Sequence, residues 1–238
     1  MKRFLLIFAL LPFGTVLFGQ TFQPYILEDD LPDVVKVLPA PPKDPSPEFD
    51  YDILRYEWGK QQRLDSARAR KAINEAVYEV DDMIAQFCGA FGMEISAEKT
   101  PAIHKVVKRA VETIRLSATK PKATYMRTRP YAYFDEPTLV PEEEEELRTN
   151  GSYPSGHTVR GWGMAMLLCE INPAAQDELY KLGYEWGQSR VIAGYHWQSD
   201  VDASRMLAAA TYARLHTEPD FLRDMRQARR EFRRLANR

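Results

Sequence analysis

The chain has 238 residues, 45% of them hydrophobic, and a formal net charge of −2. That length and apolar content suit one domain of ordinary size with a real core. The slight charge gives no electrostatic ground for a nucleic-acid partner. Long stretches of Ala, Leu, Glu, Arg and Lys point to a mostly helical protein.

The first element is a leader. Lys2 and Arg3 precede an apolar run from Phe4 to Phe18, broken only at Pro12, Gly14 and Thr15. The run falls short of the roughly 20 residues needed to span a bilayer. Residues 1–20 therefore read as a cleaved secretory signal ending near Gly19. The mature protein is expected in the periplasm or outside the cell. No later run approaches membrane-spanning length, so stable membrane insertion is not expected. Cys88 and Cys169 sit in apolar helical contexts, where an export compartment permits a disulfide and a buried thiol is equally natural.

Residues 21–50 hold seven of the 16 prolines. The stretch from Leu38 to Pro47 can be neither helix nor central strand. It reads as an arm that is extended over the globule, placed between subunits, or loose. The main domain is expected over 51–238. Leu64 to Phe91 looks like one long helix, with Ile73, Val77, Val80, Ile84 and Phe87 recurring three and four apart. Thr100 and Pro101 look like the cap and first position of the next helix, whose buried face would carry Ile103, Val106, Val107, Ala110 and Ile114. Residues 119–153, with Pro121, Pro130, Pro137 and Pro141, look irregular, and the acidic run at 142–146 looks like solvated surface.

A helix is expected after His157, carrying Met164, Leu167, Leu168 and Cys169. Asn172 and Pro173 open another that runs to about Ala193. Its apolar stripe of Leu179, Leu182 and Trp186 continues onto Arg190, which aims a guanidinium inward. Two more helices should begin near Ser199 or Asp200 and near Pro219. The last is strongly basic, as a solvated helix face or a subunit contact would be.

Some residues are unusual for a helical core. Lys122 and Arg129 are followed by Pro130, then comes Pro154-Ser155-Gly156-His157, and last Ser189-Arg190 with His196 and Asp200. Three cations and a turn feeding a helix suit a tetrahedral oxyanion. Arginine forks match its oxygens, lysine supplies a point charge, and the N–H groups at Ser155 and Gly156 face a helix start. Asp200, four residues after His196, can orient one imidazole nitrogen and leave the other free to attack. His157 is then free to protonate a leaving oxygen. Metal binding is the rival reading of two histidines and an aspartate. Three nearby cations, and the lack of HExxH or a carboxylate cluster, argue against it, so neither a metal nor a cofactor is expected. His104 and His216 stand alone on helices and read as ordinary core or surface residues.

Together, Lys-x6-Arg-Pro, Pro-Ser-Gly-His and Ser-Arg-x5-His-x3-Asp resemble the phosphatidic acid phosphatase type 2 and vanadium haloperoxidase superfamily. The strings Gly-Ser-Tyr-Pro-Ser-Gly-His-Thr and Gly-Gln-Ser-Arg-Val-Ile-Ala-Gly-Tyr-His-Trp-Gln-Ser-Asp are similar to those of bacterial class A non-specific acid phosphatases. The resemblance runs from about residue 50 to the C-terminus. It implies an all-α, single-domain helical bundle, commonly a homo-oligomer, acting on phosphate monoesters and inhibited by vanadate. It implies His196 as nucleophile, Asp200 as its orienting partner and His157 as general acid and then base. Lys122, Arg129, Ser155, Gly156 and Arg190 would hold the phosphoryl oxygens. Transfer of the phosphoryl group to an alcohol is also open to such an intermediate. Two imidazoles with ordinary pKa values of about 6.5 place the expected optimum between roughly pH 5 and 7. Three rivals stand beside this reading. A vanadium haloperoxidase would use the same pocket, but such relatives look much larger. A membrane lipid phosphatase would need several spanning helices. A non-catalytic phosphate-binding protein would be expected to lack a histidine or the aspartate.

Overall fold

In the computed structural model, which describes residues 22–237, helices and their connections account for the chain and no strand occurs among the described residues. The leader expected over 1–20 lies outside the described residues. After a single helical turn at Val34–Val37, the helices, in chain order, are α1 (Pro47–Gln62), α2 (Ser66–Asn74), α3 (Val80–Phe91), α4 (Pro101–Leu116), α5 (Thr119–Tyr125), α6 (Pro130–Phe134), α7 (Glu144–Arg148), α8 (Gly156–Ile171), α9 (Gln176–Ala193), α10 (Gln198–Leu215) and α11 (Pro219–Ala236). This is an all-α bundle. Among the described residues no helix is long and apolar enough to cross a membrane.

The centre is the α8–α9 pair, flanked by α4 and α10 on α8 and by α1, α2 and α3 on α9, while α11 packs on α4. Helix α8 is apolar nearly all round. Val159, Met164, Ala165, Leu167 and Leu168 are all buried, as befits a helix enclosed by others. The two central helices come close because Gly161 faces Trp186. A Cβ on that glycine would lie 2.6 Å from the indole Cδ1.

Several boundaries differ from expectation. The helix expected from Leu64 to Phe91 is two, α2 and α3, and the break at 75–79 carries neither Gly nor Pro. Its cause is tertiary. Glu75 is buried and accepts from Ser189 Oγ. The carbonyls of Ala76 and Tyr78 leave the helical ladder to accept from His157 Nε2 at 3.0 Å and Arg160 Nη1 at 2.7 Å. Thr100 precedes α4 but makes no side-chain cap. Instead Glu231 Oε2, on α11, accepts from the N–H groups of Ala102 and Ile103 at 3.0 and 2.9 Å. The region 119–153 is a series of short helices, α5 to α7, with Pro130 in the first position of α6. After Pro173 the chain makes a single 3₁₀ turn, Pro173–Ala175, before α9 starts at Gln176. Helix α1, unforeseen in the sequence, starts at Pro47 behind Ser46, whose Oγ accepts from Phe49 N.

The proline-rich segment lies along the bundle. Tyr25 N donates to Thr113 Oγ1 at 2.8 Å, Tyr153 Oη to the Pro39 carbonyl at 2.6 Å, and Tyr133 Oη to Asp44 at 2.9 Å. Cys88 and Cys169 are both free thiols.

The turn between α9 and α10 sets the site. Gly194 takes a left-handed conformation with φ of +92°. The N–H groups of Tyr195 and His196 then both donate to the Arg190 carbonyl, at 3.1 and 3.3 Å. The chain thus folds back and brings His196 beside Arg190. Arg63 Nε donates to the Ile192 carbonyl at 2.7 Å, and a Cβ on Gly194 would meet Arg63 Nη2 at 2.6 Å. Replacing Gly194 with Ala should therefore cost about 1–2 kcal/mol from the backbone alone. Urea unfolding should show a lower midpoint, whereas an unchanged midpoint would contradict this account of the turn.

Candidate active site

A cavity of about 720 Å³ opens between α5, the α7–α8 connection and the ends of α8 and α9. Six of the eight residues expected from the sequence line it: Lys122, Arg129, Gly156, His157, Arg190 and His196. Asp200 stands behind His196. Ser155 does not line the cavity. Its Oγ caps α8, accepting from Thr158 N at 3.3 Å and Thr158 Oγ1 at 2.9 Å.

His196 is 2% exposed. Its Nδ1 lies 3.3 Å from Asp200 Oδ2, and its Nε2 lies 3.1 Å from Arg129 Nη1. A guanidinium only donates, so Nε2 must carry a lone pair, and the proton sits on Nδ1 toward the carboxylate. Burial, then Arg129, Lys122 and Arg190, hold the imidazole well below its ordinary pKa of 6.5, opposed by the Ser152 backbone. His196 is thus held neutral, with a lone pair on Nε2 facing the cavity. His157 donates from Nε2 to the Ala76 carbonyl, which leaves Nδ1 for proton exchange. Burial, Arg190 and Arg160 hold it too well below 6.5, with the Ala76 carbonyl opposing and His196 lowering it further.

The cations are poorly neutralised. Arg190 is fully buried, and its Nε and Nη1 have no partner among the described residues. Its guanidinium lies 4.5 Å from the Tyr195 ring centre. Arg129 donates from Nε to the carbonyls of Leu147 and Asn150 at 3.0 and 3.1 Å, and from Nη1 to that of Tyr195 at 3.2 Å. Lys122 Nζ donates to the Gly151 carbonyl at 2.7 Å. Burial first, then Arg129 and Arg190, push Lys122 down to about 7, with Asp200 opposing. Such an array favours an anion carrying several oxygens. Among the described residues no group of three or more His, Cys, Asp or Glu gathers as a metal site. His104 and His216, as expected, lie elsewhere, beside Asp81 at 2.8 Å and Glu170 at 3.0 Å respectively.

Two site residues escaped the sequence reading. Arg127 Nη1 donates to Asp200 Oδ1 at 2.6 Å, and its Nη2 to Asp52 Oδ2 at 2.7 Å. Asp52, on α1, also accepts from Ser199 N at 2.8 Å. Asp200, third in α10, accepts in turn from Trp197 N at 2.9 Å. The result is a chain of contacts from Asp52 through Arg127 and Asp200 to His196. Arg127 sits two residues before Arg129, so an eye for adjacent arginines could have found it. Asp52 lies 75 and 147 positions from its partners Arg127 and Ser199 and carries no local signal.

Asp52→Asn should leave Arg127 half-paired in a buried place. We expect a stability loss of about 3 kcal/mol, as when one partner leaves a buried ion pair, and a kcat reduced more than KM. Chemical denaturation with steady-state kinetics checks both, and unchanged values would mean the clamp is idle. A second expectation concerns pH. Sulfate does not titrate near neutrality, so its affinity for the cavity should fall as pH rises through about 7, where Lys122 loses its proton. Calorimetric titration should show a steeper fall in the wild type than in Lys122→Met, and equal slopes would contradict the part given to Lys122.

The PAP2 superfamily pattern matches residues 109–220. The chain is 40% identical over 230 residues to the non-specific acid phosphatase of Providencia stuartii, covering 96% of this chain and 92% of that protein. It is 37% identical over 231 residues to the non-specific acid phosphatase of Salmonella typhimurium, covering 97% and 92%. The acid phosphatase of Zymomonas mobilis is 33% identical over 199 residues, covering 84% and 75%.

Proposed function

The chain belongs to the non-specific acid phosphatases of the PAP2 superfamily, and from that membership we propose that it hydrolyses phosphate monoesters through a phosphoryl group carried on His196. The observation that carries the mechanism is the neutral Nε2 of His196, set among Arg129, Lys122 and Arg190.

In the first step the phosphate oxygens take the free donors of Arg190 and the charges of Lys122 and Arg129. Arg129 Nη1 exchanges His196 Nε2 for an oxygen. The Nε2 lone pair attacks phosphorus and forms a P–N bond as the P–O bond to the alcohol breaks. His157 Nδ1 gives its proton to the departing oxygen. The positive charge that develops on His196 is stabilised by Asp200 at Nδ1, which Arg127 holds in place. In the second step water attacks phosphorus, His157 takes its proton, and the P–N bond returns its electrons to Nε2. An alcohol in place of water would yield a new ester. Ser155 supports the reading through the α8 start: its cap orders the turn whose Gly156 faces the cavity.

In this reading the free enzyme keeps both imidazoles neutral, and a bound phosphate dianion raises His157 toward protonation. The basic limb should therefore lie at higher pH for kcat than for kcat/KM, with the optimum on the acid side of neutrality. The same reading takes residues 1–20 as an export signal and the enzyme as periplasmic or secreted, metal-free in its chemistry and a homo-oligomer.

Two experiments test the mechanism. Orthovanadate, which adopts the trigonal-bipyramidal shape of the transferring phosphoryl group, should inhibit competitively, while chelators should leave activity intact. Activity lost on chelation and restored by a divalent ion would refute the metal-free step. In His157→Asn, phosphorylation by alkyl phosphates should slow about 10²–10⁴-fold. Phosphorylation by p-nitrophenyl phosphate, whose leaving group needs no proton, should slow far less. Equal losses would mean that His157 is not the acid.

A further inference from the structure

One wall of the cavity carries charge that the reaction above does not use. Arg160 follows His157 by three residues on α8, so the two side chains share a face one turn apart. It lines the cavity and is only 2% exposed. Nη1 donates to the Tyr78 carbonyl at 2.7 Å, while Nε is buried without a partner among the described residues. The guanidinium lies 4.2 Å from the centre of the Tyr78 ring, which is itself 59% exposed and stands edge-on to His157 at 6.1 Å. Arg115 lines the same cavity, with Nε and Nη2 paired to Glu112 at 2.9 and 2.6 Å.

A buried guanidinium with an unpaired Nε is costly unless an anion meets it. Burial is the main force lowering Arg160, and Arg115 lowers it further, while Tyr78, Glu112 and Glu79 oppose. The phosphoryl oxygens already have Lys122, Arg129 and Arg190. Of the carboxylates that line the cavity, Glu143 acts on Arg190 and helps to keep it charged. An anionic leaving group is thus repelled from Glu143 and drawn past His157 toward Arg160.

We infer that Arg160, with Arg115 and the Tyr78 ring, forms a subsite for a second phosphate carried by the leaving alcohol. The enzyme then prefers bisphosphorylated small molecules over simple monoesters. The subsite rests on the phosphatase reading of the cavity, and the experiment separates the two. Wild type is offered butyl phosphate and 1,4-butanediol bisphosphate in competition, with the ethanediol and hexanediol homologues to vary the reach. A symmetric bisphosphate has two equal ends, so a kcat/KM ratio of two is purely statistical.

The expected ratio for the best length is roughly tenfold above that statistical value, as one charge-assisted contact supplies. Arg160→Gln should bring it back to about two, and Arg160→Lys, which keeps the charge, should retain part of the excess. A competition ratio does not depend on the active fraction, so a partly unfolded variant still reports. Turnover of butyl phosphate with a wild-type ratio of two or less at every length sinks the subsite alone. So does a ratio that Arg160→Gln leaves unchanged. A lysine variant as impaired as the glutamine one would mean that Arg160 only anchors the 75–79 segment, and would overturn the subsite as well. No turnover of any ester would remove the phosphatase reading and this inference with it.

Discussion

The structure depends on positive charge buried without enough negative charge to match it. Arg190 is fully enclosed with two donors unpaired among the described residues, and Lys122 and Arg129 face the same cavity. Leaving charged donors unmet inside a protein costs several kcal/mol. Among the described residues, Asp200 is already engaged by Arg127, His196 and the Trp197 N–H, and Glu143 and Glu146 on the cavity wall make no ion pair with the three cations. Such an array suits a multiply charged oxyanion, the partner that the proposed function gives it. Stability conceded in the free protein becomes affinity when that anion enters, and the fold must be rigid enough to hold the cations apart until then.

That rigidity comes from a few long-range ties. The left-handed turn at Gly194 puts the end of α9 and the start of α10 on one side of the cavity. The Asp52–Arg127–Asp200 clamp joins α1 and the segment after α5 to α10 behind the nucleophile. Burial first, then Arg190 on both, with Arg129 and Lys122 acting on His196 and Arg160 on His157, holds the two imidazoles well below their ordinary pKa in the free protein. In the proposed mechanism one charge distribution thus binds the phosphate and prepares the nucleophile. It also makes the acid dependent on the substrate's own charge for its proton.

Much of this was legible in the sequence. The apolar stripes of α4, α8 and α9 have helical periods, and following the α9 stripe led directly to Arg190 facing inward. The site motifs were visible because each gathers its chemistry within ten or so residues. What failed to show was whatever depends on distant partners. The α2–α3 break has no Gly or Pro, because it is caused by Glu75, Ala76 and Tyr78 serving Ser189, His157 and Arg160 across the bundle. Thr100 has the right type for a cap, yet Glu231 takes that role from the far end of the chain. Ser155 was expected on the phosphate, and the sequence did not show that its Oγ also orders the helix start. Asp52 is invisible without the fold, since only the packing of α1 brings it to Arg127 and Ser199.

The central claim is that the phosphoryl group passes through His196 Nε2. Rapid quenching of the enzyme with ³²P-labelled substrate into alkali, followed by peptide mapping, tests it most directly. The account predicts an alkali-stable, acid-labile label on the peptide bearing His196, absent in His196→Ala. A label on any other residue, or one that persists in that variant, would contradict it.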